Sequence, residues 1–211
     1  MRNHLLRFAM LAGACALFCG GAEAAGGPLG IDHKIGFDNR GIWRRSNQLA
    51  LEDFLIASEF AGALWEGGES RVGRTLWQSI DATALGGVSA ELLKLAFSRA
   101  RPSQTDDPND FFAGRGHKSF PSGEVTNITA IITPFVLEYG HDEPIVYALE
   151  LLPIYDSVAR MKAHAHWQTD VIAGFALGSL AGWYAHSRST PLILGVLPHG
   201  FTVGLREEFG L

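Results

Sequence analysis

The sequence predicts an all-α fold, a single helical bundle closed by a short C-terminal β-hairpin, and three observations carry that prediction. Apolar residues recur at near-helical spacing through most of the chain after residue 47. Glycine and proline clusters divide that pattern into segments of helical length. Only the tail, "PLILGVLPHGFTVGLREEF", turns to apolar and β-branched residues around Pro198-His199-Gly200, as a hairpin does. At 211 residues and 47% hydrophobic content, the chain is large enough for one full-sized domain with a packed core. A formal net charge of -5 argues against a nucleic-acid partner, because non-specific binding needs a basic face to neutralise phosphates.

In chain order, Arg2 and Arg7 precede an uncharged apolar stretch from Phe8 and the small-residue pattern Ala22-Glu23-Ala24. Residues 1–24 therefore read as a secretory signal peptide cleaved after Ala24, which sends the protein to the periplasm or beyond. The alternatives are a retained membrane anchor, for which the stretch is short against a span of about 20 residues, and lipoprotein processing at Cys15. Cys15 and Cys19 both fall in this segment, so the mature chain has no thiol for a disulfide, a thiolate nucleophile or a cysteine metal site. Export to an oxidising compartment fits that composition. Residues 25–48, rich in Gly, Asn and Arg, form an irregular lead-in expected on the surface, and residues 49–211 form the domain.

Within the domain, Leu49, Leu51, Phe54, Leu55, Ala57 and Phe60 mark a first helix that Gly67-Gly68 ends. A second helical region runs from about Glu69 to Ala100, with a predicted break near Gly86-Gly87 and a stop at Pro102. "SQTDDPNDFFAGRGHKSFPSG" is then a polar loop of functional length. Three more helices follow over about 123–139, 144–163 and 167–187, with Pro134 and Pro153 placed to kink theirs. The apolar run Val171 to Ala185 is shorter than the roughly 18 residues of a spanning helix, which favours a water-soluble domain over one embedded in a bilayer.

Three clusters concentrate groups that bind or attack phosphate. Lys94 and Arg101 stand two helical turns apart and share a face, and two fixed cations suit a dianion. A helix beginning near Gly123 offers unpaired backbone N–H groups, while the Ser122 hydroxyl either caps it or donates to a phosphate oxygen. His166 and Asp170 lie four apart, so on a helix a carboxylate can bond one ring nitrogen and leave the other nucleophilic, with Arg160 upstream to bind charge. Each cluster alone also suits a bland role: a solvated basic face, an ordinary cap, a structural hydrogen bond or, for the histidine, a metal site.

In order, Lys94-x6-Arg101-Pro102, Pro121-Ser122-Gly123 and Arg160-x5-His166-x3-Asp170 resemble the motifs of the type 2 phosphatidic acid phosphatase superfamily, which includes bacterial acid phosphatases, lipid phosphatases and vanadium haloperoxidases. The resemblance covers about residues 70–187. It implies a helical bundle and a phosphoric monoester hydrolase acting on lipid or small soluble phosphates. Lys94, Arg101, Arg160, Ser122 and the Gly123 backbone are then expected to hold the phosphate oxygens, His166 to attack phosphorus, and Asp170 to orient it. No metal or other cofactor is required by that chemistry, since spread cations take the place of metal ions.

Two positions depart from the family pattern. Ala159 stands where a serine usually precedes the arginine of the third motif, and Glu124 stands where the second motif ends in histidine. That histidine is expected to protonate the leaving oxygen and later activate water, so Glu124 takes over as acid/base or leaves the role vacant. Neighbouring cations lower its pKa, whereas burial and a bound phosphate raise it. His117 and His164 are candidate substitutes, and Phe111 and Phe112 in the long loop are candidates to line a leaving-group pocket. Two alternatives follow: a catalytically impaired phosphate- or phospholipid-binding homologue, and, with less support from so short a chain, a haloperoxidase that binds vanadate. Peripheral membrane contact remains compatible with a lipid substrate.

Overall fold

The structure, a computed structural model, describes residues 26–188 together with 191 and 192. The signal-peptide expectation and the C-terminal hairpin lie outside the described residues.

Among the described residues five α-helices form the body: α1 (Arg45–Glu66), α2 (Arg71–Phe97), α3 (Gly123–Tyr139), α4 (Leu151–Lys162) and α5 (Gln168–His186). The all-α prediction holds among the described residues, whose only β-type pairing is an isolated bridge between Gly26 and Asp32. Helix α3 is the hub, packed against α1, α2, α4 and α5. It buries Val125, Ile128, Ile131, Ile132 and Val136, and Val125 meets Met161, Val171 and Phe175 in one core cluster. The α3–α5 contact is close because Gly174, Gly178 and Gly182 recur at four-residue spacing on α5. A Cβ at these positions would stand 2.6 Å from the Ser122 carbonyl oxygen, 2.4 Å from that of Thr126 and 2.5 Å from Thr133 Cβ. Glycine there lets two backbones touch.

The same logic corrects the predicted break at Gly86-Gly87, since α2 runs without interruption through both. Gly86 faces Thr126, Ala130 and Ala181, where a Cβ would already be 3.1 Å from Thr126 Cγ2. Its small size serves packing, and the burial gained outweighs the roughly 1 kcal/mol propensity cost of glycine in a helix. Residues 144–163 are not one kinked helix either. A 3-10 segment, Pro144–Glu150, precedes α4, and Pro153 falls in the first turn of α4. The proline ring cannot coexist with an unbroken α ladder through residue 149 but is tolerated in a first turn. Pro134 lies buried inside α3, which continues to Tyr139.

The lead-in is not merely superficial. Asp32 is fully buried, with one carboxylate oxygen accepting from the Thr169 backbone N–H at 2.8 Å and the other from the Thr169 hydroxyl at 2.6 Å. An acidic side chain at the start of α5 satisfies an otherwise orphaned N–H and complements the helix dipole.

Among the described residues no helix is long and apolar enough to cross a membrane. The outward face of α2 is nevertheless apolar: Leu85, Val88, Leu92 and Leu95 recur at three- and four-residue spacing and are exposed, as are Leu180 and Trp183 on the neighbouring α5.

Candidate active site

One cavity of about 340 Å³ collects the two cations of the first cluster, the glycine of the second and the histidine of the third. Lys94, Arg101, Gly123, Glu124 and His166 line it, with Glu52, Glu91 and Asn127. Lys94 comes from the last turn of α2, Gly123 and Glu124 from the first turn of α3, and His166 from the turn before α5. At Gly123 a Cβ would lie 2.6 Å from Lys94 Nζ, so a larger residue there would push the ammonium group aside.

Ser122, Arg160 and Asp170 lie behind that lining, all buried. Ser122 is the N-cap residue of α3 but makes no side-chain capping bond, and its buried hydroxyl has no partner among the described residues. The hydroxyl therefore does not cap the helix.

The His166–Asp170 pair differs from the expectation. Helix α5 begins only at Gln168, so His166 is not on it, and its Nδ1 stands 3.8 Å from the Asp170 carboxylate. Nδ1–H instead donates to the Ser119 carbonyl oxygen at 2.7 Å. Ser119 links the two, since its hydroxyl donates to Asp170 Oδ2 at 2.5 Å, an oxygen that also accepts the Trp167 N–H at 2.8 Å. The ring is oriented by a backbone carbonyl whose own residue Asp170 pins. Burial pushes the His166 pKa down, and Arg160 and Arg101 add to that against Asp170. A neutral ring with its proton on Nδ1 has its lone pair on Nε2, the form a nucleophile needs.

Asp170 is a carboxylate despite burial: burial raises its pKa, but His166, Arg99 and Ser119 together hold it below the usual range. Arg99 is a residue that sequence reasoning missed. It is fully buried and donates to Asp170 Oδ1 at 2.6 Å, to Asp32 Oδ2 at 2.6 Å and to the Thr169 hydroxyl at 2.8 Å. Nothing local in the sequence marks it: Arg99 is one more basic residue beside Arg101, and its partners lie 67 and 71 positions away.

Glu124 resolves in one direction. Burial raises its pKa, but the Arg45 guanidinium, which donates directly to Oε2, together with Arg160, outweighs burial and holds it below the usual carboxylate value. Its place in the first turn of α3 favours the same charge. The substitutes fall away: His164 gives Nε2 to the Ile35 carbonyl at 2.7 Å and packs on Phe37, and neither it nor His117 lines the cavity. Phe111 and Phe112 join Phe97 and Phe120 in a separate apolar groove of about 520 Å³, continued by Ile172, Ala173 and Ala176 of α5. It starts one turn beyond Lys94 on α2.

Residues 75–192 match the family model described as PAP2 superfamily. The lipid A 1-phosphatase of Rhizobium etli is 36% identical over 104 residues, 47% of this chain and 42% of that protein. The lipid A 1-phosphatase of Porphyromonas gingivalis is 29% identical over 137 residues, 64% of this chain and 28% of that protein. The chain thus spans less than half the length of these relatives. The crystal structure of a transmembrane PAP2 type phosphatidylglycerolphosphate phosphatase from Bacillus subtilis shares the fold, with a TM-score of 0.52 at 16% identity over 88% of this chain and 85% of that one. With more than half of its length matched, and with the three motifs gathered at one end of the same helical fold, the chain belongs to the PAP2 superfamily.

Proposed function

We propose that this protein is a phosphoric monoester hydrolase, favouring lipid phosphates, that works through a phosphohistidine at His166 and requires no metal ion. The observation that carries the proposal is the placement of His166: its Nδ1–H is donated to the Ser119 carbonyl, which leaves Nε2 free at the wall of a cavity lined by Lys94 and Arg101 with Arg160 behind, and burial lowers its pKa. That relatives are named lipid A 1-phosphatases supports the substrate class. The phenylalanine groove and the exposed apolar face of α2 and α5 also support it, as surfaces for an apolar leaving group and a lipid layer. The reading takes residues 1–24 as the export signal and 49–211 as the catalytic domain.

In the first half-reaction Nε2 attacks phosphorus as the ester P–O bond breaks, while Lys94, Arg101, Arg160, Ser122 and the Gly123 backbone stabilise the charge that builds on the equatorial oxygens. The proton stays on Nδ1, donated to the Ser119 carbonyl oxygen, so the developing imidazolium is held in place. In the second half-reaction water attacks the phosphohistidine, the Glu124 carboxylate accepts its proton, and the P–N bond electrons return to Nε2. An ionised Glu124 has no proton for the first step, so the ester oxygen takes one from solvent. Rates are then expected to fall steeply as the leaving alcohol becomes less acidic.

The test is turnover of p-nitrophenyl phosphate and lipid phosphates by wild type, His166→Ala, Glu124→Gln and Glu124→His across pH. Equal inactivity of wild type and His166→Ala on every substrate would end the proposal. The second reading, a phosphate-binding homologue with impaired turnover, is favoured by one observation: Glu124, where the resemblance implies a histidine, is paired with Arg45 and Arg160. A silent wild type that gains activity as Glu124→His, together with phosphate binding by calorimetry, would select it.

A further inference from the structure

The segment matched to the family starts at residue 75, and α1 lies wholly before it. Yet the first residue of α1, Arg45, reaches the candidate active site. Its NH1 donates to Glu124 Oε2 and lies 3.4 Å from Gln48 Oε1. From the opposite side Arg160 donates NH1 to the same Gln48 oxygen at 3.1 Å and brings NH2 to 3.6 Å from Glu124 Oε1. Gln48 is fully buried and its amide NH2 is held by the Trp43 carbonyl at 2.9 Å, so its oxygen stays turned to the two guanidinium groups. Two cations are bridged by one carboxylate and one amide oxygen.

The two carboxylate contacts are unequal. Arg45 makes a direct hydrogen bond, whereas 3.6 Å from Arg160 is an ionic contact beyond hydrogen-bonding range. Guanidinium groups hold carboxylate and phosphate by the same fork geometry, so the two anions compete for one arginine. A carboxylate next to Arg160 is therefore a standing competitor for the substrate, unless something else holds it.

We propose that Arg45 is a positioning residue of this site, holding the Glu124 carboxylate aside so that Arg160 stays open to a phosphate oxygen. The inference rests on the reading of the cavity as a phosphate site. It explains how a glutamate is accommodated at a position where an unrestrained negative charge would repel the ligand: the counter-charge comes from a helix outside the family segment. Removing Arg45 releases the carboxylate onto Arg160, and removing the carboxylate makes Arg45 dispensable. Direct phosphate binding by Arg45 gives a different pattern, in which its loss costs affinity whether or not Glu124 is present.

The experiment is calorimetric titration of inorganic phosphate into the purified full chain at neutral pH, for wild type, Arg45→Ala, Arg45→Lys, Glu124→Gln and Arg45→Ala/Glu124→Gln. Arg45→Ala is expected to weaken phosphate binding by about tenfold or more, since a carboxylate on Arg160 must be displaced. The double variant is expected to bind within about threefold of Glu124→Gln alone, the two sites being coupled through one contact. Arg45→Lys keeps the charge but loses the fork and is expected to fall between, which decides the matter if Arg45→Ala does not fold. In turnover assays Arg45→Ala raises KM more than it lowers kcat. Wild-type affinity in Arg45→Ala, or a double variant as weak as Arg45→Ala, overturns the inference. A wild type that binds no phosphate overturns the phosphate-site reading and this inference with it. Binding without hydrolysis refutes only the enzymatic reading, because the dissociation constants still decide the role of Arg45.

Discussion

Asp156 on α4 is fully buried, and neither carboxylate oxygen has a partner among the described residues. Burial, reinforced by Glu124 and Glu52 against Arg160 and Arg45, pushes its pKa from 3.8 up to about 8. Between those values the folded state binds a proton that the unfolded chain has released, so stability falls as pH rises through the window. Each pH unit costs about 1.4 kcal/mol, which sets a ceiling on the order of 5 kcal/mol for the whole window. Asparagine has nearly the same shape and never ionises. Asp156→Asn is therefore expected to match wild type near pH 4 and to exceed it by about 2–4 kcal/mol at pH 8, once relaxation around the buried group is allowed for. Against a typical total stability of about 5–15 kcal/mol the change is large. Denaturant unfolding of both proteins at pH 4.5, 6, 7 and 8 measures it. A difference between them that stayed constant across pH would show that Asp156 is ionised in the native state, and the argument from its burial would fail.

Two further outcomes follow from the site. Arg99→Met leaves Asp32 and Asp170 buried without their shared cation and is expected to cost about 3–5 kcal/mol, with partial recovery in Arg99→Met/Asp32→Asn; thermal melting of both variants checks this. Gly123→Ala places a methyl where Lys94 Nζ now sits 2.6 Å away, so phosphate affinity is expected to fall about tenfold or more with little loss of stability, read by calorimetry beside a melting curve.

What was legible in the sequence was local. Helices α3 and α5 were read to within a residue or two, because long apolar runs follow Gly123 and Gln168 and outweigh Pro134 in the one and three glycines in the other. The same local rules misread Gly86, whose reason lies 40 residues away at Thr126 and 95 away at Ala181, and Pro153, which opens a helix instead of bending one. The cavity lining, Lys94, Arg101, Gly123, Glu124 and His166, was legible through the resemblance of the three motifs to a known family; the helical spacing of Lys94 and Arg101 was not the reason, since α2 ends at Phe97 and Arg101 lies beyond it. What supports the lining was not legible. Arg99 bonds Asp32 across 67 positions and Asp170 across 71, and Arg45 reaches Glu124 across 79. Pairings at such separations depend on how α1 and the lead-in dock, which no periodicity encodes. Glu124 shows both sides: a carboxylate at the start of a helix beside the cations was visible at once, while its charge depended on an arginine in another helix.

The charges of the site are arranged by strength from the inside out. Deepest lies Arg99, bonded to two carboxylates, all fully buried, a unit that no ligand can enter without exposing three charges. Next comes Glu124, bound closely by Arg45 and at a distance by Arg160. At the cavity rim Lys94 is paired at 2.6 Å with Glu91, whose side chain is about half exposed and also faces Lys118, so water compensates for much of what that pair loses on opening. Among the described residues Arg101 has no carboxylate within ion-pair distance. On the proposed function, a phosphate meets the unpaired Arg101 and the weakly held Lys94 first, and reaches Arg160 by displacing only a long ionic contact. The strong pairs then hold His166, Asp170 and Glu124 in place while the weak ones exchange, so the order of pairing strengths itself favours binding from the rim inward.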